Sequence, residues 1–591
     1  MYKTFAEKIF GASAGTIVFS KPDIILTHDN TASIKNTFLK MKGEKVIYPD
    51  KLLIVLDHNA PPTSSKLATQ YQEIREFVNS QKIKNFYDAG RGICHQIMSY
   101  HAKPKMIIVG SDSHTCTAGA FNSMAVGIDR TEAAGIWKRG ETWFNVPESI
   151  KITLNGKLKK GVYAKDLSLW IIGMIGSAGA NYFSIEYHGE GVKTLSISER
   201  MTLTNLASEM GAKNSVFPAD EVLAKFYGKE KIDGIFADEK ANYSKEIEIN
   251  LDEIFPIIAV PHNVDNIKSI SQIKGKKVHQ ALIGTCTNGR LDDLRIASEI
   301  LDGKKIAKDF QLTVTPASIE IYLKAIEEGI ITKLVKAGAT ILSASCGACL
   351  GTGQGIPADN FNVISTANRN FLGRMGNKKS NVYLASPANV AYSALKGEIS
   401  CSEDFLNDNK IFPYHKEIKK KLLINDNENR RINGVWDYSD IDNFNTDQMF
   451  AGHLTYKILS SDAKSILPYL FSDFDVNFSK NLRKNDVIIA GDNFGCGSSR
   501  EHPAVALAHA GVKAVIVKSV NRIFYRSCIN QGLLLIVNEE IVNNYERNDK
   551  IEINFKNSFV KIENKKFSIP RLPEKLNQII EKKGLINWIL N

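Results

Sequence analysis

Three apolar segments of the chain each end in polar or reactive side chains. Residues 105–110 run into a polar cluster at 111–115, residues 279–285 end at Cys286, and residues 339–344 end just before a CxxC motif. Helical stretches separate these segments, and apolar periodicity predicts helices over residues 203–210, 292–302 and 317–329. The pattern therefore predicts buried strands of an open α/β sheet. Ligands bind such sheets beyond the carboxyl ends of the strands, and the residues that follow the three segments are therefore the first candidates for a functional site.

The composition is that of a globular protein of about three or four domains. The chain has 591 residues, 43% of them hydrophobic and 24% charged, which excludes a disordered or collagen-like chain. Its net charge of +11 admits an anionic substrate and does not require nucleic acid. Acidic residues precede any apolar segment at the start, and the uncharged residues 167–185 are rich enough in glycine to predict a buried helix running into a turn. We therefore expect a cytoplasmic protein with reduced cysteines.

Composition divides the chain near residue 400. Residues 416–421 and 425–433 are charged or asparagine-rich and lack apolar periodicity, which favours a linker. A solvated helix is an equally good interpretation of the lysine run. A second unit is expected to begin near Ile441, with strands at residues 486–490 and 512–517.

Eight cysteines are too few for a disulfide scaffold, but three of them indicate a metal centre. Cys346 and Cys349 form the CxxC motif, and Cys286 ends another predicted strand. A lone CxxC is also typical of a redox pair or of half a zinc site, but there is no second close pair and the surrounding glycines favour a loop. Three thiolates at strand ends suit an iron–sulfur cluster with one iron left without a protein ligand. The remaining five are expected to be bystanders: Cys94, Cys116, Cys401, Cys496 and Cys528. Of these, Cys496 is expected to line the site without binding the metal.

Five motifs, in this order along the chain, resemble the signature set of the aconitase superfamily. They are residues 111–115 (SDSHT), 284–290 (GTCTNGR), 346–349 (CGAC), 368–374 (NRNFLGR) and 495–502 (GCGSSREH). Alone, residues 495–500 would be typical of a strand-to-helix turn with a capping serine. The resemblance implies an α/β fold with an aconitase-like three-layer α/β/α large unit and a smaller swivelling β/α domain. On that basis we expect a catalytic region over residues 1–400, a linker over 401–440 and a swivel domain over 441–591.

The resemblance also implies a hydro-lyase, which removes water from a hydroxy acid and adds it back at the neighbouring carbon. Its cofactor would be a 4Fe-4S cluster held by Cys286, Cys346 and Cys349, with one iron not ligated by the protein. Hydroxide is a poor leaving group, so an electrophilic iron and a proton donor must assist it, and a positioned base must take the carbon-bound proton. Arginines and serines hold the anionic oxygens of the substrate.

Residue by residue, the resemblance implies two further sets. The implied catalytic residues are Ser498 as the base, Asp57, His58, His95, Asp112, His114 and Glu209. The implied substrate contacts are Ser113, Asn205, Arg369, Arg374, Asp447, Ser499 and Arg500. Three pairs are expected within these sets: Asp57 with His58, His95 with Asp112, and His114 with Glu209. No role is expected for His28, His101 or His188.

Two departures bear on the substrate. Citrate-type members of the family are similar in having an arginine about a dozen residues after the aspartate that Asp447 matches, and this arginine binds a third carboxylate. Here no arginine occurs between Asp447 and Arg483. Lys457 or His453 could take its place. Ser33 replaces a glutamine of an early aconitase motif.

The chain length resembles a fusion of the large and small subunits of 3-isopropylmalate dehydratase. We therefore predict that type of isomerisation, part of amino-acid biosynthesis, on a small anionic hydroxy acid, without a separate small subunit and without membrane or nucleic acid. The alternatives are aconitate hydratase, homoaconitase, an RNA-binding regulator in the cluster-free form, and an electron-transfer protein. The last would need a fourth cluster ligand.

Overall fold

The computed structural model describes residues 2–408, 410–413, 430–451, 454, 458, 462–472, 474–555 and 557–591. Four larger sheets organise these residues and are called sheets I to IV in chain order. Sheet I contains Ile24–Thr27, Leu52–Val55, Asn85–Tyr87, Ile107–Gly110 and Met124–Gly127. Sheet II contains Ser149–Asn155, Ser184–His188, Asn214–Val216 and Lys245–Asn250. Sheet III contains Ile257–Ala259, Ile267–Ser269, Gln280–Gly284, Gln311–Thr315, Thr340–Ile341, Asn362–Ser365 and Asn381–Leu384. Sheet IV contains Arg431–Ile432, Val435–Tyr438, Val487–Ala490, Ala514–Val517 and Leu535–Val537.

Two smaller sheets complete the strands of the described chain. Ile17–Ser20 pairs with Thr142–Asn145, and a second small sheet contains Ile551–Asn554, Phe559–Ile562 and Lys565–Ser568. The helices of eight residues or more are Thr31–Lys40, Ser65–Gln81, Arg130–Arg139, Ala164–Ile175, Ile197–Leu206, Leu291–Leu301, Ile319–Glu327, Ile330–Ala337, Pro387–Lys396, His502–Ala510, Arg522–Asn530 and Glu574–Glu581. No helix of the described chain is both long enough and apolar enough to cross a membrane.

Sheets I and III share one winding pattern. In sheet I the chain adds parallel strands on one side of Ile24–Thr27 and then returns to add Ile107–Gly110 on its other side. In the parallel part of sheet III it does the same around Gln280–Gly284 and returns at Asn362–Ser365. Each sheet therefore has a topological switch point between its two central strands, which is where open α/β sheets bind ligands.

Both faces of sheets I, III and IV are buried. In strand Leu52–Val55 of sheet I the first and third residues pack into one apolar core and the second and fourth into another. Leu282 and Ile283 of sheet III, and Ile488 and Ile489 of sheet IV, divide between two cores in the same way. Side chains alternate across a strand, so each sheet is the middle layer of an α/β/α arrangement. This confirms the predicted α/β fold class.

Most of the predicted elements are present with small shifts at their ends. Helices Leu291–Leu301 and Ile319–Glu327 match two of the helical predictions, and the uncharged segment forms helix Ala164–Ile175 before a glycine turn. The third helical prediction differs, because helix Ile197–Leu206 ends early and a 3₁₀ turn, Ala207–Met210, follows it.

The predicted strand at residues 339–344 is only Thr340–Ile341. It lies at the edge of sheet III, and the chain beyond it turns toward sheet I, where Ser343 Oγ donates a hydrogen bond to the carbonyl oxygen of Ala60 at 2.7 Å. The early end of this strand carries the CxxC motif toward the other sheet.

The unit built on sheet IV is joined to the unit built on sheet I by buried polar contacts. Arg526 Nε donates to Glu132 Oε2 at 2.9 Å, and the guanidinium of Arg526 lies 3.8 Å from the ring centre of Trp143. The backbone N–H of Thr131 donates to Glu501 Oε2 at 3.0 Å, so a carboxylate of one unit caps a helix of the other. These contacts fix how the turn that carries Ser498 meets sheet I.

The stretch expected to be a linker is described only in part. Residues 409 and 414–429, which include the lysine run, lie outside the described residues. Sheet IV begins inside that stretch, with strands Arg431–Ile432 and Val435–Tyr438. The asparagine-rich segment therefore leads directly into a paired strand.

Candidate active site

The switch points of sheets I and III open onto one cavity of about 750 Å³. Its walls come from residues that follow strands of both sheets and from one turn of the sheet IV unit. The sheet I unit contributes His28, Asn30, His58, His95, Asp112, Ser113, His114 and Arg130. The sheet III unit contributes Thr285, Cys286, Cys346, Cys349, Leu350, Asn368, Arg369 and Arg374, and the turn contributes Ser498, Ser499 and Arg500.

The residues named from the sequence therefore come together in space. Four of them do not line the cavity, and each of these contacts a residue that does. Asp57 lies against His58, Asn205 against Cys286, Glu209 against His114, and Asp447 against Arg500. Lys457 and His453, named as possible carboxylate ligands, lie outside the described residues.

The three thiols are placed for a cluster rather than for a single zinc ion. All three line the cavity, but their sulfur atoms are not among the described groups of ligand atoms that lie within 4.8 Å of one another. Thiolates bound to one zinc ion, each about 2.3 Å from the metal, would be closer together than that. Burial raises the pKa of Cys346 to about 11 and also raises the pKa of Cys286, so a metal centre is needed to hold them as thiolates. This donor set fits an iron–sulfur cluster.

Polar side chains approach the cysteine sulfurs from the protein side. Asn205 Nδ2 donates to Cys286 Sγ at 3.4 Å, and Asn368 Nδ2 lies 3.6 Å from the same sulfur. Arg374 Nη2 donates to Cys349 Sγ at 3.6 Å, whereas Asn368 Oδ1 accepts from that thiol at 3.7 Å. Hydrogen bonds donated to ligand sulfurs orient them and tune a cluster, so Asn205, Arg374 and the amide nitrogen of Asn368 are suited to hold the thiolates in place.

The Asp112 carboxylate contacts three histidines beyond the carboxyl ends of the sheet I strands. His95 Nε2 lies 2.8 Å from Asp112 Oδ1, as the resemblance implied, and His58 Nε2 lies 3.5 Å from Asp112 Oδ2. The backbone N–H of His114 donates to Asp112 Oδ1 at 2.8 Å. Burial raises the pKa of Asp112, but the hydrogen bonds from the three histidines outweigh it and hold that pKa well below the usual range. Asp112 is therefore ionised and orients the imidazole rings.

A second carboxylate links a histidine to an arginine. Glu209 Oε1 lies 2.7 Å from His114 Nε2, which is another of the expected pairs. Arg369 Nε donates to Glu209 Oε2 at 2.9 Å, and Arg369 Nη2 donates to Ser113 Oγ at 3.1 Å. Burial raises the pKa of Glu209, but the charge of Arg369 and the contact with His114 lower it to about 2. The side chain thus holds two cavity groups in fixed orientations.

Asp57 connects an imidazole to the cysteine loop. Its Oδ1 lies 2.7 Å from His58 Nδ1, and its Oδ2 accepts the backbone N–H of Cys94 at 2.7 Å. Its carbonyl oxygen accepts the backbone N–H of Cys346 at 3.1 Å. Asp29, which the sequence did not single out, accepts the backbone N–H groups of both Asp57 and His58, at 2.9 and 3.1 Å. Asp57 therefore positions the histidine through its carboxylate and the cysteine loop through its carbonyl oxygen, while the Asp29 carboxylate holds the backbone of Asp57 and His58.

The turn of the sheet IV unit presents two serines and an arginine to the cavity. Ser498 follows Gly497, whose φ of +96° lies in a region that favours glycine. The backbone N–H of Ser498 donates to Thr446 Oγ1 at 3.1 Å. Thr446 Oγ1 also lies 3.3 Å from Ser498 Oγ. Ser499 Oγ donates to the carbonyl oxygen of Ser111 at 3.3 Å, so the turn touches sheet I directly.

Four arginines line the cavity: Arg369, Arg374 and Arg500, which were expected from the sequence, and Arg130, which was not. Arg500 Nη1 donates to Asp447 Oδ1, and this contact joins the helix Thr446–Met449 to the turn. Arg374 Nε is buried without a hydrogen-bond partner among the described residues, so this arginine keeps an unused donor. Together with Arg369 they give the cavity the cationic groups that carboxylates require.

Some cavity residues were not found from the sequence. His28, for which no role was expected, stacks on His58 with ring centres 3.7 Å apart, and Asn30 Nδ2 lies 2.7 Å from His28 Nε2. Burial and the nearby His58 lower the pKa of His28 to about 3, so its ring is neutral. Both residues follow strand Ile24–Thr27. A polar pair after an apolar run of four residues was the available signal.

Cys496 lies outside this cavity. It was expected to line the site. Instead it lines a neighbouring cavity of about 610 Å³ between the sheet IV unit and the units that precede it in the chain. The two cavities share Arg369. Cys496 therefore does not line the cavity that contains the proposed cluster ligands.

The comparison with protein families decides the relationship. The profile of the aconitase family (aconitate hydratase) matches residues 3–397, more than half of the chain. The chain belongs to the aconitase family. The aconitase C-terminal domain matches residues 427–541.

Relatives with assigned names resemble the first two thirds of this aconitase-family chain. The 3-isopropylmalate dehydratase large subunit 1 of Methanopyrus kandleri is 41% identical over 418 residues, which cover 69% of this chain and 100% of that protein. The methanogen homoaconitase large subunit of Methanocaldococcus jannaschii is 43% identical over 414 residues, covering 67% of this chain and 98% of that protein. Among solved structures, aconitase X of Thermococcus kodakaraensis aligns over 61% of this chain and 86% of its own, at 12% identity and a TM-score of 0.37.

Membership of the family sets the class of chemistry. The protein is an enzyme of the hydro-lyase class, as predicted. The aconitase family implies a 4Fe-4S cluster, and the three cavity cysteines with their polar neighbours fit that group.

Proposed function

We propose that the protein is a hydro-lyase of the 3-isopropylmalate dehydratase type. It would dehydrate a small hydroxy dicarboxylic acid and add the water back at the neighbouring carbon. The observation that carries this proposal is the cavity itself, where Cys286, Cys346 and Cys349 lie together with Ser498 and four arginines. The relatives named 3-isopropylmalate dehydratase support the choice of substrate.

The proposed cofactor is a 4Fe-4S cluster with one iron that has no protein ligand. In support, the described cavity walls contain three cysteines and no fourth. When bound, such a cluster supplies a Lewis acid that makes the hydroxyl group a better leaving group. Cys286 and the Cys346–Cys349 pair would hold it, and Asn205 and Asn368 would fix the sulfur atoms.

We propose Ser498 as the group that takes the carbon-bound proton. A serine hydroxyl is a weak base unless its anion is stabilised, and we propose Arg500, on the same turn, as the cation that stabilises it. Thr446 Oγ1, at 3.3 Å from Ser498 Oγ and 3.1 Å from its backbone nitrogen, fixes the direction in which the hydroxyl points.

The histidines are proposed to handle the proton of the departing hydroxyl group. His58, His95 and His114 each contact a carboxylate, and a carboxylate beside an imidazole fixes its tautomer and raises its basicity. Asp112 and Glu209 are held ionised by these contacts, so they stabilise a protonated ring rather than compete for the proton.

The remaining cavity residues are proposed to bind the two carboxylates of the substrate. Arg369 and Arg374 can each form paired hydrogen bonds with a carboxylate, and Ser113 and Ser499 add hydroxyl donors. Asp447 would orient Arg500. Because no arginine follows Asp447 before Arg483, we propose a dicarboxylate in preference to citrate. Homocitrate is the second candidate, since a homoaconitase relative is 43% identical.

We also propose that residues 1–400 form the catalytic region and that the swivel domain, equivalent to a fused small subunit, begins with strands Arg431–Ile432 and Val435–Tyr438 of sheet IV rather than at residue 441, so that the linker ends before residue 431. Two facts support this. The relatives named as large subunits align over their whole or nearly whole length with 69% and 67% of this chain, and the aconitase C-terminal domain matches residues 427–541. The fused chain would need no separate small subunit. A cytoplasmic location stays a prediction.

The test is a substrate panel on the single chain, reconstituted with iron and sulfide under anaerobic conditions. We expect the ultraviolet absorbance of an unsaturated acid to appear with 3-isopropylmalate, without any added subunit. Homocitrate and citrate are the comparison substrates. Turnover of citrate but not of 3-isopropylmalate would contradict the proposed substrate, and activity only after addition of a small subunit would contradict the fusion.

A further inference from the structure

Lys165 is a buried cation that none of the proposed catalytic steps uses. It lies in helix Ala164–Ile175 with 0% of its surface exposed and does not line the cavity. Its Nζ donates to the carbonyl oxygens of Thr366 and Ala367, at 3.0 and 2.6 Å. Both partners are neutral, so no carboxylate of the described chain forms an ion pair with this ammonium group.

Two features of its position disfavour a cation. Full burial disfavours the charged form, and Lys165 occupies the first turn of its helix, where the helix dipole repels positive charge. Glu209 and Asp166 favour the charged form less than Cys349 and Cys286 do, and neither carboxylate forms an ion pair with it. The Asp166 carboxylate instead accepts from the N–H of Tyr163 at 3.0 Å and from Asn389 Nδ2 at 3.1 Å. A buried charge without a partner is costly, so an anion that the chain does not itself supply is expected nearby.

The contacts of Lys165 lead to the proposed cluster site. Thr366 and Ala367 immediately precede Asn368, whose amide contacts the sulfurs of Cys286 and Cys349. The thiols of Cys349 and Cys286 are also the two strongest electrostatic partners that favour the charged form of Lys165. The ammonium group therefore lies behind the wall that would hold the cluster, on a segment one residue from a sulfur contact.

We propose that Lys165 is the buried positive charge that compensates the anionic cluster and slows its loss of iron to oxidants. The inference rests on the proposed cofactor, because three thiolates outnumber the positive charge of a resting cluster core and leave the assembly anionic. Removing an electron from a cluster is harder when a fixed cation lies nearby in a medium of low dielectric constant. The hydrogen bonds to Thr366 and Ala367 then serve to place the charge.

A simple tether is the competing explanation, and three variants separate the two. Lys165→Gln keeps amide donors for the two carbonyl oxygens and removes the charge. Lys165→Met removes both, and Lys165→Arg keeps both. If the charge matters, Gln resembles Met; if only the tether matters, Gln resembles the wild type.

The experiment measures iron release from the reconstituted full-length protein. Ferricyanide removes one electron from the cluster, and the oxidised cluster then gives up one ferrous ion, which a coloured chelator detects. We expect release about fivefold faster or more in Lys165→Met and Lys165→Gln, and within about twofold of the wild type in Lys165→Arg. Circular dichroism of the cluster-free proteins checks that each variant is folded.

Lys213→Met is the matched control. Lys213 is also 0% exposed, but its Nζ donates to Tyr182 Oη at 2.9 Å and it has no cysteine among its electrostatic partners. Its variant should release iron at the wild-type rate.

Wild-type release rates in Lys165→Gln, or in both neutral variants, would overturn the charge role. Folded Met and Gln variants that take up no cluster, beside an Arg variant that does, would support it. An Arg variant that folds and takes up no cluster would also overturn it. Failure of the wild type to take up any cluster would instead refute the proposed cofactor.

Discussion

The groups proposed to move protons are each held by a second group. His58 contacts Asp57 and Asp112, His114 contacts Glu209, and Ser498 contacts Thr446. A catalytic side chain works only within narrow limits of position, so these partners matter as much as the catalytic residues. The sequence indicated most of the pairs through the family motifs. It did not indicate Thr446 or Asp29, because ordinary threonine and aspartate residues at strand and helix ends carry no distinctive pattern.

Ser498→Ala is expected to lower kcat by about 100-fold or more while leaving the visible absorbance of the cluster unchanged, because the substitution removes a base and no cluster ligand. Steady-state kinetics and the absorbance spectrum of the reconstituted protein measure the two effects. Ser465→Ala, an exposed serine of the same unit, is the control and should keep full activity. Cys349→Ser should instead lose absorbance and activity together. If Ser498→Ala bleached the cluster, the serine would be structural.

At the scale of single elements, strand positions could be predicted but their order in the sheets could not. Apolar runs that end in reactive residues located Ile107–Gly110 and Gln280–Gly284, because burial on both faces leaves a local signal. The neighbours of these strands are set by contacts between residues far apart in sequence. The switch points, and with them the arrival of Arg369 beside Cys286, therefore became visible only in the structure. Glu209 lies in a 3₁₀ turn rather than in the expected helix, yet it points to the same site.

The turn that presents Ser498 depends on Gly495. Its φ is +72°, and an added Cβ would lie 2.3 Å from Phe524 Cγ. Gly495→Ala should therefore lower both the free energy of unfolding and kcat, because the turn must move to relieve the clash. Gly303→Ala is the matched control, since Gly303 has φ +69° and no atom within 4 Å of an added Cβ.

The control isolates the backbone term. Gly303→Ala carries only the left-handed penalty of about 1–2 kcal/mol, and its kcat should not change. Thermal unfolding and steady-state kinetics of both variants give the comparison. Equal effects of the two substitutions on kcat would show that the space around Gly495 does not position Ser498.

At the scale of the whole molecule, the cavity forms where the units built on sheets I and III meet the unit built on sheet IV. The units built on sheets I and III supply the cysteines, the histidines and three arginines, and the sheet IV unit supplies Ser498, Ser499 and Arg500. The sequence indicated this division through the family motifs and the change in composition. It could not indicate which residues join the units, because Arg526 and Glu132 are 394 positions apart and neither lies in a motif.

The buried pair of Arg526 and Glu132 should therefore control activity from a distance. The two side chains are 1% and 2% exposed, and Arg526 Nη2 also donates to the carbonyl oxygen of Trp143 at 2.7 Å. Arg526→Met leaves the Glu132 carboxylate buried without its cation, a loss of about 3–5 kcal/mol that favours separation of the units. We expect kcat/KM to fall by about 100-fold or more while the cluster absorbance stays unchanged, because every proposed cluster ligand lies in the sheet III unit and none in the sheet IV unit.

The double variant Glu132→Leu, Arg526→Met removes the unpaired buried charge and should recover part of that loss. Kinetics of the two variants and of Glu132→Leu complete the cycle, and small-angle scattering reports whether the units separate. Wild-type kcat/KM in Arg526→Met would show that this pair does not govern how Ser498 reaches the cavity.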